Sequence, residues 1–299
     1  MNKAKESPWF IAGQGAIGSF CAANLERNNK PYNVIVRDLD RKQGQFAWNQ
    51  EQFELAKPIT LRDKPQIGNL LVPLKAYDVE PFIKQAQEFL QPKANIILCH
   101  NGMGTLENVK DYLSDSMQLY FCTTSSGANK RFNIVTLAGI GESFWSRIPT
   151  NSLSSNIEAN RLQNSHFKDL FSQAEEKSNL KQILWNKLLV NCVINPLTAI
   201  HGVQNGQLQK SEFQPLIKNI VNEFINVAEY ENTSLGYSKS IELVNKVIST
   251  TANNTSSMLQ DVQNQRRTEI DYITGYLLKT AEIHGIDCPI NKKIYQKMT

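Results

Sequence analysis

The chain lacks most of what marks a specialised class of protein. Its five cysteines, Cys21, Cys99, Cys122, Cys192 and Cys288, are odd in number, lie far apart and show no C-x-x-C spacing, which argues against a disulfide framework or a thiolate zinc site. They read as small buried hydrophobes. No long run of like charge occurs, and 32 basic against 28 acidic residues leave a formal net charge of only +4, so neither a nucleic-acid nor a membrane-surface partner is implied. Small anionic ligands remain compatible with that balance. No apolar stretch reads as the ~18 residues of a transmembrane helix, and the polar segment Met1 to Ser7 runs straight into an apolar strand at Trp9 without room for a signal peptide. A reducing cytoplasm is the expected compartment. The four histidines, His100, His166, His201 and His284, have no metal-ligand spacing, so no metal and no catalytic histidine is assigned.

What is present points to two domains. A chain of 299 residues, 41% of them hydrophobic, is long enough to bury two cores. In the first half, short apolar runs at Trp9 to Ala12, Asn33 to Val36, Leu70 to Leu74, Asn95 to Cys99 and Leu119 to Thr123 alternate with helical patterns, the rhythm of a parallel sheet with crossover helices. Asn133 to Ala138 reads as one more strand and Pro149 to Asn156 as a loop. From about Ile157 apolar residues recur every three or four positions. The expected architecture is an α/β Rossmann-type dinucleotide-binding domain over 1–178 and an all-α domain over 179–299. In the latter, Thr268 is expected to cap a helix beginning at Glu269, Gly285 to stop it, and Ile270, Ile273, Leu277, Leu278 and Ala281 to form its apolar stripe.

Directly after the first strand stands Gly13-Gln14-Gly15-Ala16-Ile17-Gly18, a GxGxxG in a strand, turn and helix context. Gly13 permits the tight turn, Gly15 the close approach of a pyrophosphate, and Gly18 the packing of helix on strand. The second strand ends at Arg37, where an arginine pairs with the 2′-phosphate of NADPH; an acidic residue there holds the ribose hydroxyls of NADH instead. Asp38 follows immediately, and if it faces the ribose the preference vanishes. An exposed loop arginine is the bland alternative.

Three further segments carry the chemistry. Leu74-Lys75-Ala76 and His100-Asn101-Gly102-Met103-Gly104 both follow strands, where ligands bind in open α/β sheets. The third, Trp185 to Ala199 followed by Asn205-Gly206, places Lys187, Asn191 and Asn195 four residues apart, so a helix aligns them over about 12 Å of one face. Any single asparagine among thirty is a poor candidate, but three polar groups in register within an otherwise apolar segment are a better one. Further on, Asn253 to Asp261 leads to Arg266 to Tyr272. Twelve residues separate Ser257 from Glu269, about 18 Å in one straight helix, so a chain break is expected before Thr268.

Together these segments resemble the ketopantoate (2-dehydropantoate 2-) reductase family over residues 9 to 290, loosely from Gly127 to Leu180. The resemblance implies NADPH-dependent reduction of 2-dehydropantoate to pantoate, a step of pantothenate and coenzyme A synthesis, by a monomer or homodimer. Gly13, Gln14, Gly15, Ala16, Ile17, Gly18, Arg37, Lys75 and Asn101 would hold the cofactor, Asn101, Asn191, Asn195, Asn205 and Ser257 the keto acid, and Lys187 and Glu269 form the catalytic pair. Proton donation near neutrality favours an amine lowered from ~10.4 toward ~8, so Glu269 is expected to hold a substrate hydroxyl rather than to ion-pair with Lys187. Two departures from the family stand near Lys75: Pro73, and Tyr77-Asp78 in place of an aromatic and an amide. Two other readings remain open, a β-hydroxyacid or other keto-acid dehydrogenase of the same architecture and a non-catalytic NADPH-binding sensor.

Overall fold

Trp9-Phe10-Ile11-Ala12 is apolar at every position, and all four residues are buried, the pattern of a strand covered on both faces. In the computed structural model, which describes residues 7–39, 44–48, 51–131, 134–149, 161–233 and 235–299, this strand, β1 (Trp9–Ala12), lies inside a parallel sheet. It is followed by α1 (Ala16–Arg27), β2 (Tyr32–Ile35), β3 (Gln45–Trp48), β4 (Glu51–Glu54), β5 (Pro58–Ile59), β6 (Ile67–Val72), α2 (Ala76–Ala86), β7 (Leu90–Leu98), α3 (Leu106–Lys110), β8 (Gln118–Thr124), β9 (Gly127–Arg131), β10 (Ile134–Gly139), β11 (Ser143–Ile148), α4 (Asn164–Phe171) and β12 (Ala174–Glu176). The main sheet has the order β12-β11-β8-β7-β6-β1-β2-β5. Its strands from β8 to β5 are parallel, and β11 is antiparallel to β8. The chain therefore leaves β1 on one side through β2 and returns on the other through β6, which makes the carboxyl end of β1 the topological switch point.

The strands expected from the apolar runs are present with ends shifted by a few residues. The third stops at Val72 rather than Leu74, because Pro73 has no N–H to continue the ladder. Asn133 and residues 150–156 of the expected loop lie outside the described residues. Of the second sheet, in the order β4-β3-β10-β9, the strand expected at Asn133 to Ala138 is present as β10, whereas β3, β4 and β9 have no counterpart in the sequence, nor do β5, β11 and β12. This sheet packs against α1, where Phe20 meets Phe46 with ring centroids 6.4 Å apart. The core of this unit continues through Trp145 and Phe167, stacked at 3.9 Å, and Tyr120, whose hydroxyl accepts the Leu162 N–H at 2.9 Å.

By compactness the chain divides into residues up to His100 with Thr105–Ser178, and Asn101–Gly104 with Asn179–Thr299. Apart from that four-residue loop the second unit is helical: α5 (Leu180–His201), α6 (Gln214–Tyr230), α7 (Tyr237–Thr250), α8 (Ser257–Gln263), α9 (Thr274–Ile283) and α10 (Pro289–Met298), with short 3-10 turns between. The expected α/β unit with parallel strands and helical unit are thus both present. Among the described residues α5 alone is long and apolar enough to cross a membrane by length and composition, with a mean hydropathy of 1.3 over 18 residues, which corrects the reading that no stretch reaches that length. Its composition has a nearer cause: 67% of that window is buried inside the protein, against α6, α7, α8 and α10.

The helix expected from Glu269 starts later. Thr268 Oγ1 accepts the Ile270 N–H at 3.3 Å, but it opens only a 3-10 turn, Ile270–Tyr272, and Ile273 then leaves helical geometry (φ −106°, ψ −88°) before α9 begins at Thr274. Its end is as expected: Gly285 adopts φ +67°, and the Ile286 N–H reaches back to the Ala281 carbonyl at 2.9 Å. Ile270, Ile273, Leu277 and Ala281 are buried in the core of this unit and Leu278 packs beside them. All five cysteines are buried free thiols.

Candidate active site

The glycine turn shows why each glycine is needed. Gly13 adopts φ +85° and donates its N–H to the Ile35 carbonyl at 2.7 Å, fastening the turn to the end of β2. A Cβ on Gly18 would stand 2.6 Å from the Gly13 carbonyl oxygen and 3.2 Å from Pro73 Cγ, so Pro73, besides ending β6, packs against the start of α1. At Gly15 a Cβ would meet nothing within 4 Å, leaving an open approach to the start of α1. Gly15 caps that helix without a side-chain hydrogen bond, and the N–H groups of its first turn have no intrahelical acceptor. An open backbone edge of N–H groups at the positive end of a helix fits the pyrophosphate of a dinucleotide. Gln14 is buried, and Ala16 and Ile17 are half-buried in the first turn.

The flanking segments supply charge. Arg37 lies two residues past β2, and its exposed guanidinium forms an ion pair with Asp78 in the first turn of α2. Lys75 is the residue on which α2 begins. The ring of His100 hydrogen-bonds Thr105 Oγ1 at 2.8 Å and packs edge-on against Phe121, tying together the two ends of the excursion made by Asn101–Gly104.

Within the second unit that excursion is seated on the turn after Glu269. The Met103 N–H donates to the Tyr272 carbonyl at 2.8 Å. Gly102 (φ +78°) and Gly104 (φ +96°) allow the approach: a Cβ on Gly102 would lie 2.5 Å from the Tyr272 oxygen, and one on Gly104 would lie 3.0 Å from the Tyr276 ring. Asn101, half-buried, and Glu269, 4% exposed, therefore belong to segments locked to each other. The sequence carried the signal for this in its two glycines, but not the identity of the partner, Tyr272.

On α5, Lys187 and Asn191 are half-buried and Asn195 is buried, each one helical turn beyond the last. Leu188, Leu189, Cys192, Val193 and Ile194 between them are buried, so the ridge is not a solvated face. Pro196 has no N–H, which leaves the Cys192 carbonyl without its helical donor. The break expected before Thr268 is present, since α8 ends at Gln263 and Gln265 takes φ +52°. Ser256 caps α8, accepting the Leu259 N–H at 3.1 Å and meeting Thr198 Oγ1 at 2.7 Å, while Ser257 is exposed at the first helical position. Asn205 is buried and donates Nδ2 to Thr251 Oγ1 at 2.9 Å, and Gly206 packs so tightly on Ala252 that a Cβ would lie 2.8 Å away. That pair thus ties its turn to the end of α7. Asp261, which the sequence reading passed over, is buried with Arg266 at 3.2 Å.

A phosphate-ready turn at the switch point of a parallel sheet, in one chain with a helical unit that carries a lysine and two amides in register, defines a two-domain nicotinamide-dependent oxidoreductase. Profiles for "Ketopantoate reductase PanE/ApbA" and "Ketopantoate reductase PanE/ApbA C terminal" match residues 9–149 and 179–299. The 2-dehydropantoate 2-reductase of Vibrio cholerae is 34% identical over 96% of this chain and 95% of its own, and that of Yersinia pestis 37% identical over 76% and 72%. Among solved structures, a probable 2-dehydropantoate 2-reductase from Bacillus subtilis superposes with a TM-score of 0.76 at 25% identity, covering 98% of this chain and 99% of its own. A D-mandelate dehydrogenase solved with NADH and anilino(oxo)acetate has the same fold, with a TM-score of 0.87 at 22% identity over 98% and 97% of the two chains. The chain belongs to the ketopantoate reductase family and is an NADP-dependent oxidoreductase.

Proposed function

We propose that this protein reduces 2-dehydropantoate to pantoate in the cytoplasm, as a monomer or homodimer, with NADPH as reductant and Lys187 as proton donor. The observation that carries the reading is the register of Lys187, Asn191 and Asn195 on α5, three polar side chains one turn apart on a helix whose other residues are largely buried. NADPH, when bound, supplies the hydride that the keto carbon accepts. As that carbon is reduced, negative charge develops on the keto oxygen, and Lys187 Nζ delivers the balancing proton and regains one from water. Asn191 and Asn195, with Asn101 and Ser257, supply neutral hydrogen-bonding groups for carboxylate and ketone, and the buried Glu269 carboxylate accepts from the substrate hydroxyl. Asn205 gives one Nδ2 hydrogen to Thr251 Oγ1, which fixes the orientation of its amide, and its second Nδ2 hydrogen is the one offered to the keto acid.

Gly13, Gly15 and Gly18 shape the pyrophosphate turn and Lys75 stands beside it at the start of α2. Arg37 reads the 2′-phosphate; a charge-assisted contact of about 1.5–3 kcal/mol gives NADPH roughly a ten- to hundredfold advantage over NADH. The test is NADPH oxidation with 2-dehydropantoate and an aryl 2-keto acid as parallel substrates. Lys187→Ala should lose about 10²–10⁴-fold in kcat while NADP binding, measured directly, stays unchanged. A variant that keeps most of its kcat would remove Lys187 from the role of acid.

A further inference from the structure

Arg37 leaves the sheet after β2 and Asp78 after β6, and β1 with its glycine turn runs between those two strands. Neighbouring strands are about 4.8 Å apart, so this ion pair joins the two sides of the switch point across the crevice that the adenosine end of a dinucleotide enters. The Arg37 side chain remains 78% exposed and the Asp78 side chain 31%; both are within reach of an incoming phosphate. An ion pair this exposed is weak by itself. What it changes is the charge that a third group meets: the 2′-phosphate finds a guanidinium already neutralised in part, and a carboxylate of its own sign beside it.

We propose that Asp78 determines cofactor selectivity in this protein by competing with the 2′-phosphate for Arg37. The proposal rests on the reading that Arg37 is the phosphate-binding residue, and it assigns to the Arg37–Asp78 pair a cost that falls on NADP(H) and not on NAD(H), whose ribose carries no charge. One like-charge repulsion of a few ångströms in a largely aqueous setting changes affinity by about five- to tenfold.

Dissociation constants of NADP⁺ and NAD⁺ are measured by calorimetry on the intact wild type, Asp78→Asn and Arg37→Ala, each at low and high salt. Asp78→Asn should bind NADP⁺ about five- to tenfold more tightly and NAD⁺ within twofold of wild type, and the gain should shrink at high salt. Unchanged or weaker NADP⁺ binding by Asp78→Asn, with Arg37→Ala still losing NADP⁺ selectively, overturns the competition and makes Asp78 a residue that orients Arg37. Equal losses of both dinucleotides in Arg37→Ala overturn the phosphate reading itself, and the proposal with it.

Discussion

Gly102→Ala is the most demanding test of the way the Asn101 loop is held. The added Cβ would stand 2.5 Å from the Tyr272 carbonyl oxygen and 2.7 Å from its Cβ, atoms of a backbone turn that cannot rotate aside. Restoring ordinary contact at 3.4 Å requires the loop and the turn to separate by about 0.9 Å. Holding alanine at φ +78° adds roughly 1–2 kcal/mol of backbone strain, and loss of the Met103 to Tyr272 hydrogen bond adds about 1 kcal/mol. Displacing a substrate-positioning group by about 1 Å costs on the order of a hundredfold. The expected result is therefore a fall of about two orders of magnitude in kcat/KM for 2-dehydropantoate, a drop of several degrees in Tm, and little change in NADP binding, whose residues lie mainly on other turns. Gly236→Ala is the control, since Gly236 has φ −70° and open space around it. If Gly102→Ala kept kcat/KM within twofold of wild type, the seating of the loop on Tyr272 would not be what positions Asn101.

Two further predictions concern the helical unit. Glu223 on α6 is buried and accepts the Ile290 N–H at 2.8 Å, the Asn291 N–H at 2.9 Å and Asn291 Nδ2 at 2.8 Å, satisfying the start of α10; Glu223→Ala strands those donors and should lower unfolding free energy by about 3 kcal/mol, with a loss under 1 kcal/mol in urea melts counting against the cap. Burial pushes the Glu231 carboxyl up, but hydrogen bonds and charge from His284 (3.1 Å) and Lys181 (2.9 Å) outweigh it and hold the group below its ordinary value of 4.5. A depressed folded-state pKa contributes stability that is complete above about pH 4.5 and fades as pH falls through the lower folded value, so wild type should exceed Glu231→Gln in urea stability at pH 6 and the gap should close in strong acid. A gap that is constant with pH would assign the effect to packing.

The parallel sheet was legible because its strands are buried on both faces, so that Trp9 to Ala12 and Asn95 to Leu98 read as apolar runs, and because glycines fix where β1 turns into α1. Of the second sheet only β10 was legible, although Thr136, Ala138 and Gly139 beside its buried Val135 are exposed; its pairing was not, because β3 and β10 meet across more than eighty residues of intervening chain. The late start of α9 has a similar origin. Thr268 is a sound cap by type, but the turn it opens must receive the Met103 N–H at the Tyr272 carbonyl, and that demand comes from a loop far away in sequence.

The site divides along the same line. Residue type and spacing identify which side chains can do the chemistry, as with Lys187, Asn191 and Asn195, whose common face follows from helical period alone. They do not reveal how each polar atom is already engaged. Asn205 and Asn195 look alike as members of one segment, yet the Asn205 amide holds Thr251. Ser256 and Ser257 are adjacent and chemically identical, but the helix start engages the first and leaves the second exposed. Arg37 is the expected partner of a phosphate, and its guanidinium meets a carboxylate first. For Asn205 and Arg37 the engaged atom is set by a contact between chain segments remote in sequence, and a substitution at the partner, Thr251 or Asp78, changes the function of a residue it does not replace.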